Sequence, residues 1–270
     1  MTSLDADAIR NFASERTRAK LAQLDVLAEI DSTNSYLLQK PGPEPGEISI
    51  AVTTNQTAGR GRFDKTWLSP PGSGLCLSVA YTFARAPENL PALTLALGLG
   101  AIAALEELGA INVQLKWPND LVALDSKLGG ILTEMQPQSS SAVTVVAGIG
   151  VNVDLKNNPE IKADWARRVV DLGDICEELP GGERIAGTLT THLLQAFVDF
   201  EESGLTPFAD RWSRYDWLLG REVRIDAGQD RVIGVGAGIA DDGALLVDTP
   251  ALGVQRVISG SVSLAGGVTQ

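Results

Sequence analysis

Five consecutive residues, Lys116-Trp117-Pro118-Asn119-Asp120, set a cation, an indole, a rigid turn former, an amide and a carboxylate directly after an apolar run that reads as a strand. Burying such a mix is costly unless it meets a partner. Asp120 can offer oxygen to Mg²⁺, and Lys116 can neutralise a polyphosphate. The bland alternative stands beside this: Lys116 as a surface charge and Pro118 as a plain turn former. Eleven positions after Lys116, Lys127 opens Lys127-Leu128-Gly129-Gly130-Ile131-Leu132. Paired glycines there permit a ligand to approach a strand closely, and a lysine beside them is an electrostatic clamp for a carboxylate.

A second cationic stretch, Gln56-Thr57-Ala58-Gly59-Arg60-Gly61-Arg62, lies between a β-branched run ending at Thr54 and the indole of Trp67. Gly59 and Gly61 lack a Cβ, so the backbone there is expected to reach φ > 0 and turn N–H groups toward an anion. Arg60 and Arg62 add planar forks suited to phosphate and carboxylate oxygens. The stretch reads as a mobile cationic lid, with an ordinary solvated loop as the alternative.

The elements that must position these groups follow from periodicity. One or two short helices over residues 4–24 precede a strand at 25–30, and Asp31-Ser32-Thr33-Asn34 offers N-cap residues for a helix through Tyr36 and Leu38. Strands are expected at 48–54 and 75–83, and a long helix at 90–108. Short strands follow at 113–117, 121–124, 128–135 and 143–153, and a core-packed helix at 184–203. This is a meander without strict βαβ alternation, so a mixed sheet with helices on one face is predicted. Beyond Trp217 the texture changes to β segments at 222–225, 232–239, 245–247 and 254–264, with Asp242-Gly243 as a turn. The boundary falls near Leu218, giving units 1–217 and 218–270, the second a small SH3-like barrel.

Composition removes several classes. The net charge of −12, from 34 acidic against 22 basic side chains, opposes nonspecific nucleic-acid binding. The two cysteines, Cys76 and Cys176, form no CxxC pair and imply neither a disulfide framework nor a zinc site. Cys76 reads as a small core residue. The single histidine, His192, reads as a helix-surface residue, so histidine catalysis is set aside. The apolar stretch 90–105 falls short of the about 20 residues a bilayer span needs and reads as a buried helix. The amino terminus carries no signal-peptide pattern, which makes the cytoplasm the expected compartment. Gly148-Ile149-Gly150 lacks the third glycine of a dinucleotide fingerprint, and Trp165, Trp212 and Trp217 read as core anchors in helical runs.

Taken in order, Asp31-Ser32-Thr33-Asn34, the lid with Trp67, Lys116 to Asp120, Lys127 to Leu132 and Gly148-Ile149-Gly150-Val151-Asn152 resemble the bacterial biotin protein ligases. So do residues 238–246 and 258–264 of the tail. The resemblance implies an α+β fold: a mixed-sheet catalytic domain of the class II aminoacyl-tRNA synthetase and biotin synthetase type, followed by an SH3-like β-barrel. It implies that biotin and ATP are joined to biotinyl-5′-adenylate, with Mg²⁺, and that the acyl group passes to a lysine of the carrier domain of a biotin-dependent carboxylase. Carried over residue by residue, biotin would meet Ser32, Thr33, Asn34, Gln56, Gly59, Arg60, Gly61, Arg62, Lys127 and Gly130. The nucleotide would meet Arg60, Arg62, Trp67, Lys116, Asn119, Asp120 and Asn152, with Trp67 covering the purine and Asp120 holding Mg²⁺. Lys127, Arg62 and Asp120 would act on the reacting groups, Asp120 also helping to remove the proton of the incoming lysine.

Two departures stand out. Relatives continue the lid with a second Gly-Arg pair, where this chain has Phe63-Asp64-Lys65, which is expected to stiffen the loop and weaken its field. Family members that double as repressors carry a winged-helix domain ahead of the Ser-Thr-Asn motif, and the 31 residues before Ser32 are too few for one, so an enzyme without direct DNA or membrane binding is expected. Monomer and homodimer both remain open. Lipoate or octanoyl ligation, a nucleic-acid-binding module and a biotin-binding regulator are the rival readings.

Overall fold

Strand β3 (Gly74–Phe83) sends alternate side chains into two environments, and the molecule is built on that alternation. Leu75, Leu77, Val79, Tyr81 and Phe83 enter the main apolar core, while Ala80 joins a small separate cluster with Leu37, Ala51 and Val146. The coordinates are a computed structural model that describes residues 4–137, 142–156, 169–227 and 230–265.

Around β3 lies a seven-stranded sheet of β1 (Leu21–Val26), β2 (Ile48–Thr53), β4 (Gln114–Lys116), β5 (Asp120–Ala123), β6 (Ser126–Pro137) and β7 (Val143–Asn152). Its order is β1-β2-β3-β7-β6-β5-β4. Only β1 and β2 run parallel; every other neighbouring pair is antiparallel. The mixed sheet is as expected, but the first strand starts earlier than the expected 25–30, directly where α2 ends.

Helices α1 (Ala6–Phe12), α2 (Glu15–Lys20), α3 (Thr33–Leu38), α4 (Leu93–Glu107), α5 (Leu172–Ile175), α6 (Gly182–Ser203) and α7 (Thr206–Tyr215) complete this part. α4 and α6 cover the main-core face, where Tyr81 stacks on Phe197 with centroids 4.9 Å apart. A Cβ on Gly100 would lie 3.0 Å from the Ala196 methyl, so glycine sets how closely these two helices approach. The helical run Leu90–Glu107, which includes α4, is by length and composition long and apolar enough to cross a membrane, a little longer than the apolar stretch expected, and most of it is buried in this core.

The prediction of helices on one face is corrected by α3, which lies on the opposite face, over β2, β3 and β7. Its six residues hold a single buried aliphatic, Leu37, too short a pattern to reveal a side. Trp212 is a buried anchor on α7 as expected. Trp217 lies beyond the end of α7, where its indole N–H donates to Asp125 (2.8 Å). Trp165 lies outside the described residues.

The tail forms β8 (Glu222–Ala227), β9 (Asp230–Ile239), β10 (Leu245–Thr249), β11 (Gly253–Val257) and β12 (Ser261–Leu264), in the order β11-β10-β9-β8-β12. All four pairings are antiparallel. Among the described residues β11 and β12 are the outer strands of this five-stranded antiparallel sheet, an arrangement consistent with the expected SH3-like unit. The expected strand 254–264 is two strands, because β11 pairs with β10 whereas β12 crosses to β8. Gly243, at φ +83°, makes the turn before β10.

Both sheets share one core: Val223, Ile225, Leu245 and Val247 belong to the same apolar cluster as Leu93, Leu95 and Trp117. The Trp117 indole donates to the Gly243 carbonyl at 2.9 Å. At the centre of the main core Phe197 is fully buried. Phe197→Ala should therefore cost about 3–5 kcal/mol, read as a lower denaturant midpoint in equilibrium unfolding.

Candidate active site

The α3 side of the central sheet is bare of side chains at two alternate positions of β7, Gly148 and Gly150. Gly148 and Gly150 stand opposite Ser78 and Cys76 of β3, and opposite Leu132 and Gly130 of β6. A Cβ on Gly148 would lie 2.2 Å from the Asn34 amide oxygen, and one on Gly150 would lie 2.5 Å from the Trp67 ring. Real side chains do not approach so closely, so the two glycines let Asn34 and Trp67 lie flat on the sheet. Gly129, by contrast, faces the neighbouring backbone, with its hypothetical Cβ 2.5 Å from the Gly150 carbonyl. At Gly130 a Cβ would fit at ordinary contact, 3.5 Å from Asp120 Oδ1, so its bareness leaves space rather than relieving a clash.

Over this floor lies a cavity of about 650 Å³, walled by the Ser-Thr-Asn segment, the lid, both lysine motifs and the β12 segment from Gly260 to Ser263. One end is neutral and polar. Ser32 caps α3 through Ser35 N–H. The Gln56 side-chain oxygen accepts from the Thr33 amide (2.8 Å) and hydroxyl (3.1 Å). Ser78 donates toward Thr33 Oγ1 (2.7 Å) and Asn34 Oδ1 (2.6 Å).

The other end is cationic. Lys127 Nζ pairs with Asp120 Oδ1 at 2.7 Å and stands 5.6 Å from the Trp67 ring centre. Lys116 is only 8% exposed; burial pushes its ammonium pKa down, and the neighbouring Lys127 and Lys65 add to this while Asp120 opposes it. Burial likewise lowers Arg62, again opposed by Asp120. Positive charge held without full compensation in a partly desolvated wall attracts an anion. Asn119 also lines this end, its amide donating to Ile131 O (2.7 Å).

The lid is a small hairpin: Trp67 N–H donates to Gly59 O (2.9 Å), and Gly61 N–H to Lys65 O (2.7 Å). The reason expected for its glycines is corrected. Gly61 has φ −123°, and Gly59 is needed because a Cβ would meet Trp67 O at 2.6 Å. The left-handed residues are Phe63 (φ 54°) and Asp64 (φ 57°), in the Phe63-Asp64-Lys65 stretch of the lid. Non-glycine residues pay about 1–2 kcal/mol each for that conformation.

Most of the expected site residues therefore meet at one cavity, with two exceptions. Asn152 does not reach the wall; its amide donates to the carbonyls of Lys127 (3.2 Å) and Val170 (3.0 Å), tying strands together. Gly59 lies behind the wall, against Trp67 and Gln56. Cys76 is buried as expected, and it also contributes to the cavity floor beside Trp67. Ser78, Leu132, Lys65 and the β12 segment also line or brace the site without having been foreseen. Ser78 carried a signal, a hydroxyl on the face of an apolar strand that looks away from the main core.

For a metal, the donors are few. Among the described residues no group of three or more His, Cys, Asp and Glu side chains is placed to hold an ion. Mg²⁺ keeps waters and phosphate oxygens and takes one or two carboxylates from the protein. Asp120 alone thus fits an ion that arrives with a nucleotide rather than a resident one.

A neutral hydrogen-bonding pocket joined to a cationic one under a lid, on a mixed sheet, is the layout of an acid-activating ligase, and comparison with known proteins agrees. Residues 26–152 match the biotin/lipoate A/B protein ligase family, and residues 218–265 match the biotin protein ligase C-terminal domain. A bifunctional ligase/repressor of Salmonella typhimurium is 34% identical over 97% of this chain and 78% of its own. A biotin–[acetyl-CoA-carboxylase] ligase of Mycobacterium tuberculosis is 34% identical over 84% of this chain and 83% of its own. The structure of an Aquifex aeolicus biotin protein ligase with biotin and ATP superposes with a TM-score of 0.75 at 28% identity, covering 91% of this chain and 99% of that one. The chain belongs to the biotin protein ligase family.

Two outcomes test this geometry. Gly150→Ala should displace the Trp67 indole, seen as a changed near-UV circular dichroism spectrum, at an overpacking cost of about 1–3 kcal/mol. Burial pushes the Cys76 thiol up to about 11, and the neighbouring Ser69 and Trp67 lower it only in part. An unfolded thiol ionises about two pH units lower, so at pH 8 alkylation of Cys76, followed by peptide mass, should be about a hundredfold slower in the folded than in the unfolded protein.

Proposed function

We propose that this chain is a biotin protein ligase that activates biotin with ATP and transfers it to a lysine of the carrier domain of a biotin-dependent carboxylase. The observation that carries the reading is the single cavity in which a neutral Ser-Thr-Gln pocket opens directly onto Lys127, Arg62 and Lys116. Biotin's ureido ring is uncharged and needs both donors and acceptors, which Ser32, Thr33 and Gln56 supply. Its carboxylate is then turned toward Lys127.

In the first step a carboxylate oxygen attacks the α-phosphorus of ATP, the bond to the bridging oxygen breaks, and pyrophosphate leaves with that electron pair. Charge grows on the phosphoryl oxygens, and the cations of Lys127, Arg62 and Lys116 stabilise it where water is excluded. Bound Mg²⁺ would screen the phosphates, with Asp120 as one protein ligand. In this reading Asp120 also fixes Lys127 through their ion pair, and Trp67 covers the adenylate. In the second step Asp120 would help remove the proton of the incoming lysine ammonium; the resulting neutral amine attacks the acyl carbon and AMP leaves with the bonding pair. Residues 1–217 form the unit that binds both substrates, and 218–270 a second unit that closes one side of the cavity. A cytoplasmic setting, where ATP and carrier protein meet, goes with this activity.

The matched catalytic family includes lipoate ligases, so the two acids must be compared directly. Incubation with biotin, MgATP and an apo carrier domain should add one biotin per carrier and release pyrophosphate and AMP, with lipoate a poor competitor in mass spectrometry of the carrier. Lys127→Met should slow adenylate formation by at least about a hundredfold. Preferential lipoylation, or full turnover by an Arg62→Glu variant, would overturn the assignment.

A further inference from the structure

Glu134 has no place in the chemistry above, yet it joins three parts of the site. It sits on β6 two residues beyond Leu132, on the face that lines the cavity. Its carboxylate accepts both forks of the lid's Arg60, at 2.9 and 2.6 Å. Oε2 accepts in addition from the Asn34 amide at 2.8 Å. Asn34 is itself pinned to the floor: its amide donates to Leu132 O (3.1 Å), and its oxygen accepts from Ser78 (2.6 Å). Beneath it Gly148 carries no Cβ, which would lie 2.2 Å from the Asn34 oxygen, so Asn34 rests directly on the sheet. Glu134 is therefore a fixed anion, and Arg60 is docked onto it.

The rest of the lid has no comparable hold. Its base is tied by two backbone bonds, Thr57 N–H to Ile30 O (2.9 Å) and Ala58 N–H to Asp31 O (3.0 Å). The remaining hairpin bonds are internal. Among the described residues, Arg60 is the one side chain of 57–66 that makes a hydrogen bond or ion pair with the body of the protein. Arg62 instead stacks on Phe63 of the same loop, 4.7 Å from its ring centre. Two forks on one carboxylate fix an orientation as well as a distance, and a guanidinium so held keeps its other N–H groups available to the cavity.

We propose that Glu134 is a positioning residue that latches the lid: acting through Arg60, it holds the hairpin against the sheet and so keeps an activated acyl intermediate enclosed. The proposal rests on the ligase reading for what is enclosed, but the latch itself exists without ligand, which separates the two tests. In ligand-free protein, trypsin should cut after Arg62 and Lys65 about three- to tenfold faster in Glu134→Gln than in the unaltered chain, because the amide keeps an acceptor for Asn34 but loses the ion pair. Glu134→Asp, which retains the charge, should restore part of the protection. A double-mutant cycle with Arg60→Gln supplies the second readout, by amide hydrogen exchange over the lid. If Glu134 acts through Arg60, the double variant exchanges no faster than Arg60→Gln alone. With biotin and MgATP but no carrier, Glu134→Gln should release free adenylate several-fold faster per pyrophosphate formed. Unchanged lid cleavage and exchange in Glu134→Gln, or additive effects in the cycle, would overturn the latch. An unaltered chain that makes no biotinyl adenylate would overturn the ligase reading and leave the lid measurements to decide the latch.

Discussion

The site depends on a steric constraint: two adjacent positions on one sheet face, Gly148 and Gly150, at which no side chain stands. With Cβ atoms at Gly148 and Gly150, Asn34 and Trp67 could not occupy their positions, and the amide network and the indole wall would be displaced together. Glycine in a strand weakens it, for entropy and for want of packing. That weakness is offset on the opposite face of the same strand, where Val145, Ile149 and Val151 are buried in the main core. The sheet thus gives one face to the main core and divides the other between the small cluster under α3 and the cavity.

Electrostatics repeats the division on a larger scale. The chain carries a net charge of −12, yet its cavity gathers Arg62, Lys116 and Lys127 with Asp120 as the partner that orders them. A local field of opposite sign to the whole favours a compact polyanion that fits the cleft over an extended one that must lie along an acidic surface. The acidic balance that argued in the sequence against nucleic acid is therefore compatible with a nucleotide site.

Much of this was readable in the residues, and the exceptions have identifiable causes. Long elements that are continuously apolar, such as β3 and α4, or clearly periodic, such as α6, lie close to where their patterns put them, and the motifs converge because they stand on adjacent strands or at strand ends. What failed was inference from residue type to conformation. Gly59 reads as a turn glycine but serves close approach, while the left-handed positions fell to Phe63 and Asp64. Asn152 reads as a ligand contact, but buried carbonyls claimed its amide. Cys76 and Ser78 read as part of an apolar strand, and only the second face of the sheet, with α3 across it, reveals what they line. Glu134 was invisible because its partners come from positions 34 and 60, and pairing over such separations has no local period.

The apolar core runs without a break from α4 through Trp117 to β8 and β10, and β12 of that same tail walls the cavity. Cohesion and ligand capture therefore draw on one apolar cluster that both sheets share. A molecule gripped between the floor and β12 braces the entire chain against melting, by mass action on a shared folded state. Conversely, a flaw far out in the tail loosens the pocket without touching it, so heat resistance and substrate hold should rise and fall together across variants of this protein.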